Sequence, residues 1–246
     1  MPQISDSLPW PRVAAVFGAG GGIGRALCAQ LSAEGCEVWA GSRSGAVAGL
    51  AGARQFACDI EDEGAIASAA VNMRDLPPDL VIVATGVLTL PDGTGPERSY
   101  KAIDGAAMEQ VFRLNTIGPA LVAKHVLPMF PRDQRAMFAA LSARVGSIGD
   151  NRIGGWHSYR ASKAALNMLL KNFAIELGRS HPQAVVAGLH PGTVDTGLSA
   201  PFQRGLPAGQ LTSTAASAAH LLRVCRGLSP ADSGGVFSWR GERVEP

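Results

Sequence analysis

The chain has 246 residues, enough to bury the core of one large domain or two small ones. Hydrophobic residues make up 46% and charged residues 17%, which is typical of a globular protein and excludes a disordered one. The net charge is +2 and the basic residues are scattered, which argues against nucleic acid or an anionic membrane as the main partner.

The first twelve residues hold three prolines and one acid, so we expect neither a signal peptide nor an anchor there. No run approaches the roughly 20 apolar residues of a membrane span. The four cysteines have no C-x-x-C spacing and the histidines follow no metal-ligand pattern. We therefore expect no metal and reduced thiols in a cytoplasmic protein.

Strand-like and helix-like runs alternate along the chain. The first half predicts strands at 12–17, 36–40, 54–57 and 79–84, and helices at 23–34, in the Ala/Gly-rich stretch before 54, and at 61–74. The second half predicts a long helix at 104–130 that Pro119 and Pro128 kink or end, strands at 136–141, 184–189 and 235–239, and helices at 158–177 and 211–225.

Such alternation predicts βαβ units and an α/β fold, a doubly wound parallel sheet of about seven strands flanked by helices. The continuous apolar run at 79–84 is typical of a strand buried on both faces. The Gly- and Pro-containing segment 87–103 is predicted to be a loop within the domain. We expect one Rossmann-type domain covering 1–246.

A glycine cluster, Gly18-Ala-Gly-Gly-Gly22-Ile-Gly24, joins the first strand to the first helix. A helix N-terminus offers free N–H groups and a positive dipole end to a diphosphate. The spacing G-x-G-x-x-G does not fit, because its sixth position is Ile23, whereas G-x-x-x-G-x-G does. A flexible turn is the alternative, but the strand before and the helix after favour nucleotide binding.

Tyr159 and Lys163 are four residues apart in the helix predicted at 158–177, so they share one face. A phenol has an ordinary pKa of about 10 and is a poor acid–base group at pH 7. A neighbouring ammonium group favours the phenolate and would lower that pKa. The pair predicts an acid–base site, although a solvated helix face can have the same spacing.

Together these motifs resemble a classical short-chain dehydrogenase/reductase over nearly the whole chain. The matching pieces are Gly18–Gly24, Cys58-Asp59-Ile60, Ala84-Thr85-Gly86, Asn115 in Arg113-Leu-Asn-Thr-Ile-Gly, the Tyr159/Lys163 pair and Pro191-Gly-Thr-Val-Asp-Thr196. The stretches at 93–97 and 144–152 and the ending Trp239-Arg-Gly-Glu resemble the branch that contains C-factor and sniffer-type carbonyl reductases.

The resemblance implies that Tyr159 exchanges a proton with the substrate oxygen and that Lys163 holds the nicotinamide ribose. Asn115 would anchor a water that links Lys163 to a proton relay, or would simply bend its helix. The residues expected to bind the dinucleotide are Gly18, Gly20, Gly22, Ile23, Gly24, Ser42, Arg43, Asp59, Ile60, Ala84, Thr85, Gly86, Tyr159, Lys163, Pro191, Gly192, Val194 and Thr196.

The family's substrate-binding serine has no clear counterpart after the fifth strand. Ser142 is preferred, because it stands at the mouth of a strand, on a rigid element. Ser147 is a rival in a glycine-flanked loop, and alignment on Gly146 places Ala143 in the serine's position. Neighbouring strand residues point to opposite faces, so Ser142 faces away if Ala143 faces the site.

The cofactor preference can be argued from charge. An acid about 20 residues after the glycines would bind the NAD ribose, whereas an Arg would bind the 2′-phosphate of NADP. The second strand ends in Ser42-Arg43 without an acid, which favours NADP(H); a solvated Arg43 would leave NAD(H) open.

The predicted function is an NAD(P)(H)-dependent oxidoreductase that interconverts a carbonyl and an alcohol, with a dinucleotide-binding sensor of little activity as the alternative. The loop 198–211, with Pro201, Phe202, Leu206 and Pro207, and Trp156 and His157 beside the helix start suit a small apolar or aromatic carbonyl substrate. By resemblance, the two long helices pair with their copies in a homodimer or homotetramer. Apolar residues on several faces of 161–170 agree with that pairing.

Overall fold

Seven parallel strands form the central sheet of the computed structural model, which describes residues 10–204 and 210–246. In spatial order these are β3 (Arg54–Ala57), β2 (Glu37–Ser42), β1 (Val13–Phe17), β4 (Leu80–Val83), β5 (Ala136–Leu141), β6 (Ala184–His190) and β9 (Val236–Ser238). Two short strands, β7 (Thr193–Val194) and β8 (Leu211–Thr212), pair with each other apart from this sheet. The predicted doubly wound α/β fold is confirmed.

Helices cover both faces of the sheet. They are α1 (Gly22–Ala33), α2 (Glu63–Asn72), α3 (Gly105–Phe112), α4 (Gly118–Val126), α5 (His157–Gly178) and α6 (Thr214–Gly227). Helices α1 and α6 bury Leu27 and Leu221 against one face, and α2, α4 and α5 bury Ile66, Val122 and Leu166 against the other. Coverage of both faces explains why the central strands are continuous apolar runs.

One predicted helix is absent and another begins later than predicted. The segment 43–53 forms turns instead of a short helix, and Gly45 and Gly49 there have φ angles of 72° and 84°, which a helix does not allow. The predicted helix at 211–225 begins later, at Thr214, because Leu211 and Thr212 pair with β7 and Ser213 caps the helix through the backbone N–H of Ala216.

The helix predicted at 104–130 is divided into α3, a π-helical turn over Arg113–Ile117, α4 and a 3₁₀ turn over Leu127–Met129. Pro119 has no N–H to donate and its ring crowds the carbonyl four residues earlier. The π turn accommodates Pro119 at the start of α4, and Pro128 lies in the closing 3₁₀ turn.

The carboxyl ends of the strands lie along one edge of the sheet. Strands β1 and β4 are neighbours at the centre, and the chain leaves them in opposite directions across the sheet. Such a switch point opens a crevice, and ligands bind there in open α/β sheets. No helix among the described residues is long and apolar enough to cross a membrane, and these residues contain no cluster of metal ligands.

Candidate active site

The glycine turn after β1 is too tightly packed for side chains. A Cβ atom at Gly18, whose φ is 95°, would lie 2.9 Å from Thr85 Cγ2, and one at Gly22 would lie 3.0 Å from Thr196 Cγ2. A Cβ at Gly24 would collide with the Gly18 carbonyl. Helix α1 begins here without a side-chain cap, so its first N–H groups are available to an anion.

A cavity of about 610 Å³ opens beside this turn. Of the predicted site residues, its walls contain Gly22, Ile23, Ala84, Thr85, Gly86, Ser142, Tyr159, Lys163, Pro191, Gly192, Val194 and Thr196. The other predicted residues, which lie outside these walls, are Gly18, Gly20, Gly24, Ser42, Arg43, Asp59, Ile60 and Asn115. The structure thus brings Tyr159, Lys163 and the first residues of α1 to the walls of one cavity.

The end of β2 lies next to the glycine turn, since a Cβ at Gly20 would be 3.6 Å from Ser42 Cβ. Arg43 is exposed, and the Ser42 and Ser44 hydroxyls are 3.4 Å apart. The sequence motifs did not indicate Ser44 as a neighbour of Ser42 at this end of β2. On the far side of β2, Asp59 accepts a hydrogen bond from the Glu61 N–H, and Ile60 packs against α4.

Tyr159 and Lys163 lie one turn apart in α5 and are 9% and 3% exposed. The Lys163 Nζ donates a hydrogen bond to the Leu141 carbonyl at 2.8 Å and lies 5.9 Å from the Tyr159 ring centroid. Burial raises the pKa of Tyr159 to about 12 and lowers the pKa of Lys163 to about 8.

We expected Lys163 to lower the Tyr159 pKa. In the protein without a bound cofactor this expectation is wrong, because the Tyr159 pKa is raised. The ammonium group is bonded to a backbone carbonyl, and burial of the phenol raises its pKa. At neutral pH the phenol keeps its proton, which is the form that a proton donor needs.

Asn115 lies in the π turn, completely buried. Its Oδ1 accepts from the Val87 N–H at 2.8 Å, and its Nδ2 donates to the Val87 carbonyl at 2.9 Å and to Ser162 Oγ at 3.1 Å. A Cβ at Gly86 would lie 3.4 Å from Asn115 Oδ1 and 3.6 Å from Lys163 Nζ. The amide thus ties the loop after β4 to α5 next to Lys163, and its water-binding role stays a prediction.

Neither candidate serine offers its hydrogen to the cavity. Ser142 Oγ donates to Asn167 Oδ1 at 2.6 Å, on the α5 side of the sheet. Ser147 lies outside the cavity walls, where its Oγ accepts from the Asp150 N–H at 3.0 Å. The side chain that packs against Tyr159 at the end of β5 is the methyl group of Ala143.

The end of the cavity around Tyr159 is apolar. Leu88, Ala143 and Tyr159 form a buried cluster that Val145, Trp156 and Phe202 complete. The Trp156 ring centroid lies 6.2 Å from that of Tyr159 and 5.2 Å from that of Phe202. Trp156 and Phe202 thus line the cavity as expected, whereas Leu206 and Pro207 lie outside the described residues.

Glu97 holds the start of α5, and nothing in the sequence indicated this role. Trp156, in the left-handed conformation at φ 51°, caps the helix without a side-chain hydrogen bond. The Glu97 carbonyl accepts from the Trp156 N–H, and the Glu97 carboxylate accepts from the Ser158 N–H at 3.1 Å and from the Ser158 hydroxyl. These bonds fix the aromatic wall and, one turn along, Tyr159.

Comparison with known proteins points to one family. The family model described as short chain dehydrogenase matches residues 12–206. The C-signal of Myxococcus xanthus is 34% identical over 176 residues, 71% of this chain and 96% of that protein. The 1-hydroxy-2-glutathionyl-2-methyl-3-butene dehydrogenase of Rhodococcus sp. (strain AD45) is 31% identical over 191 residues, 76% of this chain and 80% of that protein.

Solved structures show the same fold. The NADPH-bound carbonyl reductase from chicken fatty liver superimposes with a TM-score of 0.80 at 24% identity, over 96% of this chain and 94% of that one. The carbonyl reductase Sniffer of D. melanogaster gives 0.80 at 19% identity, over 96% and 99%. A short-chain dehydrogenase/reductase from Burkholderia multivorans with bound NADP gives 0.79 at 25% identity, over 96% and 100%.

Proposed function

Because the chain belongs to the short-chain dehydrogenase family, we propose that it is an NADP(H)-dependent oxidoreductase that reduces a small apolar or aromatic carbonyl compound to an alcohol. The observation that supports this most directly is the Tyr159/Lys163 pair, buried in the same cavity as the start of α1. An acid–base group next to an anion-binding helix start is the arrangement that a dinucleotide-dependent reduction needs.

The residues present fit a dinucleotide. The glycine turn leaves a cradle that Cβ atoms would fill, and the buried Thr85 Oγ1 beside it has no hydrogen-bond partner among the described residues. The proposed diphosphate site is the start of α1. Ser42, Arg43 and Ser44 would hold the 2′-phosphate, and the NADP(H)-bound relatives from chicken and B. multivorans agree with this preference.

Within this arrangement each residue has a proposed role. When bound, the reduced nicotinamide supplies the hydride that reaches the carbonyl carbon. Tyr159 donates its phenolic proton to the carbonyl oxygen, and the Lys163 ammonium stabilises the resulting phenolate. Asn115 keeps the loop after β4 against α5, so that Lys163 stays within reach of both the phenol and the ribose.

Replacing Tyr159 with Phe tests the proposal, because the change removes the proton donor and keeps the ring. We expect NADPH-dependent reduction of carbonyl compounds to fall by about 10²-fold or more, in line with the usual contribution of general acid catalysis. Cofactor affinity, measured by quenching of protein fluorescence, should stay within a few-fold. A Phe variant that retained more than about a tenth of wild-type turnover would contradict the acid–base role.

The alternative, a dinucleotide-binding sensor with little activity, is not favoured, since the tyrosine, the lysine and the glycine turn lie together in one cavity or at its edge. We also propose the reducing cytoplasm as the location of the protein. All four cysteines are free thiols, and three of them are buried.

A further inference from the structure

The substrate oxygen meets an unusual environment beside Tyr159. During reduction, the carbonyl carbon accepts a hydride with its electron pair, the C=O double bond becomes a single bond, and the oxygen takes the proton of Tyr159. Negative charge builds on that oxygen before the proton arrives. A second preorganised donor at this point is typically worth about 10²–10³-fold in turnover.

The position for such a donor is occupied by a methyl group. Ala143 follows β5 by two residues, is 8% exposed, and packs against Leu88 and Tyr159. Ser142, one residue earlier, donates its only hydrogen to Asn167 at 2.6 Å. Ser147 is held outside the cavity by the Asp150 N–H and lies 3.4 Å from the Pro246 carbonyl.

Two other hydroxyl groups of the cavity walls, those of Thr196 and Ser199, are engaged with the protein, and the Thr85 hydroxyl is buried beside Gly18 at the glycine turn. Thr196 Oγ1 donates to the Val194 carbonyl at 3.3 Å, and Ser199 Oγ donates to the same carbonyl. The His190 Nδ1 is buried from solvent and has no partner within residues 10–204 and 210–246, so it does not point into the open cavity. On this end of the cavity, the oxygen faces Tyr159 within a wall of Leu88, Ala143 and Trp156.

Burial also makes Tyr159 a weak acid, since its pKa is raised to about 12. A weaker acid transfers its proton later and offsets less of the charge on oxygen. The substrate must then stabilise more of that charge itself. An electron-withdrawing group next to the carbonyl does this by drawing charge from the oxygen.

We propose that Ala143 is a specificity-determining residue that restricts this enzyme to electron-poor carbonyl compounds, such as 1,2-diketones, and makes simple ketones poor substrates. The inference rests on the proposed function and adds to it the electronic class of the substrate. It follows from the described cluster around Tyr159, whose other members carry no hydroxyl group, and the apolar wall agrees with an aromatic or aliphatic remainder.

The test compares 1-phenylpropane-1,2-dione with 1-phenylpropan-1-one, two ketones that differ only in the second carbonyl. With NADPH, we expect kcat/KM of the wild-type enzyme to be at least 10³-fold higher for the dione. Ala143→Ser supplies the missing donor and should raise kcat on the monoketone at least 10-fold, with KM nearly unchanged. The preference for the dione should shrink accordingly.

Ala143→Cys is the matched control, because a thiol has a similar size but donates hydrogen bonds weakly. It should keep the wild-type preference. Infrared spectra of the monoketone bound to the protein with NADP⁺ give a readout other than turnover. The carbonyl stretch should move to lower frequency in the Ser variant than in the wild type or the Cys variant.

The outcomes separate this inference from the function on which it rests. A wild-type enzyme that reduces both ketones with kcat/KM values within 10-fold of each other, or a folded Ser variant with unchanged preference, would overturn the role of Ala143 and leave the reductase function standing. If neither ketone is reduced and Tyr159→Phe changes nothing, both proposals are wrong. If the Ser variant fails to fold, similar kcat/KM values of the wild-type enzyme for the two ketones still overturn the inference.

Discussion

Lys163 carries an ammonium group inside the protein, and this burial makes stability depend on pH. Its pKa is lowered to about 8 in the folded protein from an ordinary value of 10.5. Between these two values the unfolded chain binds more protons than the folded one, so the free energy of unfolding rises with pH. Below pH 8 the Lys163 amine is protonated in both the folded and the unfolded state, so the free-energy cost of burying its charge does not change with pH.

Comparison with Lys163→Met measures this effect. We expect the wild-type protein to gain stability relative to the variant between pH 8 and 10.5, by at most about 1.4 kcal/mol per pH unit. Urea unfolding at pH 7, 8, 9 and 10 is the measurement. A wild-type-minus-variant difference that stays constant over this range would show that Lys163 titrates normally.

Arg43 is exposed at the end of β2, where the proposed 2′-phosphate would lie. We expect Arg43→Ala to weaken NADPH binding by about 1.5–3 kcal/mol, the usual loss for a hydrogen bond to a charged group. NADH affinity should stay unchanged and serves as the internal control. Fluorescence titration of both cofactors is the measurement, and equal losses for the two would place Arg43 away from the phosphate.

The side-by-side placement of Tyr159 and Lys163 could be predicted because it depends on spacing within one helix, whereas the position of the serine hydroxyl could not. Whether Ser142 or Ser147 reaches the substrate depends on where a single hydrogen is donated, and that is decided by partners far along the chain. Ser142 bonds to Asn167, 25 residues later. Ser147 lies near the Pro246 carbonyl, 99 residues later.

From these bonds we expect Ser142→Ala and Ser147→Ala both to keep turnover within about 10-fold of the wild type, well short of the loss typical of an oxyanion donor. Steady-state kinetics with a single reactive ketone is the measurement. A loss of about 10²-fold or more in one variant would return the donor role to that serine.

At the scale of elements, the start of α5 depends on a residue from the loop after β4. Glu97 accepts hydrogen bonds from the Trp156 and Ser158 N–H groups. Burial acts to raise the pKa of Glu97, but the bonds from Ser158 outweigh it and the pKa lies below the ordinary glutamate value. A negative charge at a helix N-terminus is also favourable.

We expect Glu97→Gln to lower the free energy of unfolding by about 1–2 kcal/mol at pH 7. A carboxylate with a lowered folded pKa stabilises the protein above its unfolded pKa, and the contribution is lost as the pH falls through the folded value. The two proteins should therefore converge below about pH 4. Glu61→Gln, at an exposed position, is the control for the loss of one surface carboxylate.

Most element types could be predicted from periodicity, and the errors have local causes. The strand at 136–141 has the predicted bounds, because its run of apolar residues ends at Leu141, before Ser142, and follows the polar residues 133–135. The π turn could not be predicted. Pro119 indicates only that one helical hydrogen bond is missing, and a kink, a break or a wider turn can each accommodate it.

At the scale of the molecule, the alternation of strands and helices was sufficient to predict the parallel sheet, since a βαβ connection leaves few topologies. The described strands other than β7 and β8 belong to one sheet, which supports the proposal of one domain over 1–246. The convergence of the glycine turn and Tyr159 follows from the sheet, because both stand at the carboxyl ends of strands or beside them.

The oligomer is still a prediction, and the surface of the molecule supports it. Ile117, Met168 and Ile175 are 47%, 63% and 49% exposed in or beside the two helices expected to pair with a second copy. Isologous pairing would bury them. We expect light scattering at micromolar concentration to give at least twice the 25.4 kDa mass of one chain.

The double variant Met168→Glu/Ile175→Glu should lower that mass to 25.4 kDa, because it places like charges opposite each other across the expected interface. Ile153→Glu is the control, since Ile153 is 89% exposed in a loop outside both helices. A wild-type mass of 25.4 kDa would contradict the predicted assembly.

The π turn at Arg113–Ile117 also sets the relative rotation of the two helices that it joins. One residue corresponds to about 100° of rotation around a helix axis. Deleting a residue from this turn would yield an uninterrupted α-helix in which either Val111 or Val122 is rotated out of its buried position. The fold therefore requires the extra residue of the π turn, although its deletion would restore regular α-helical hydrogen bonding.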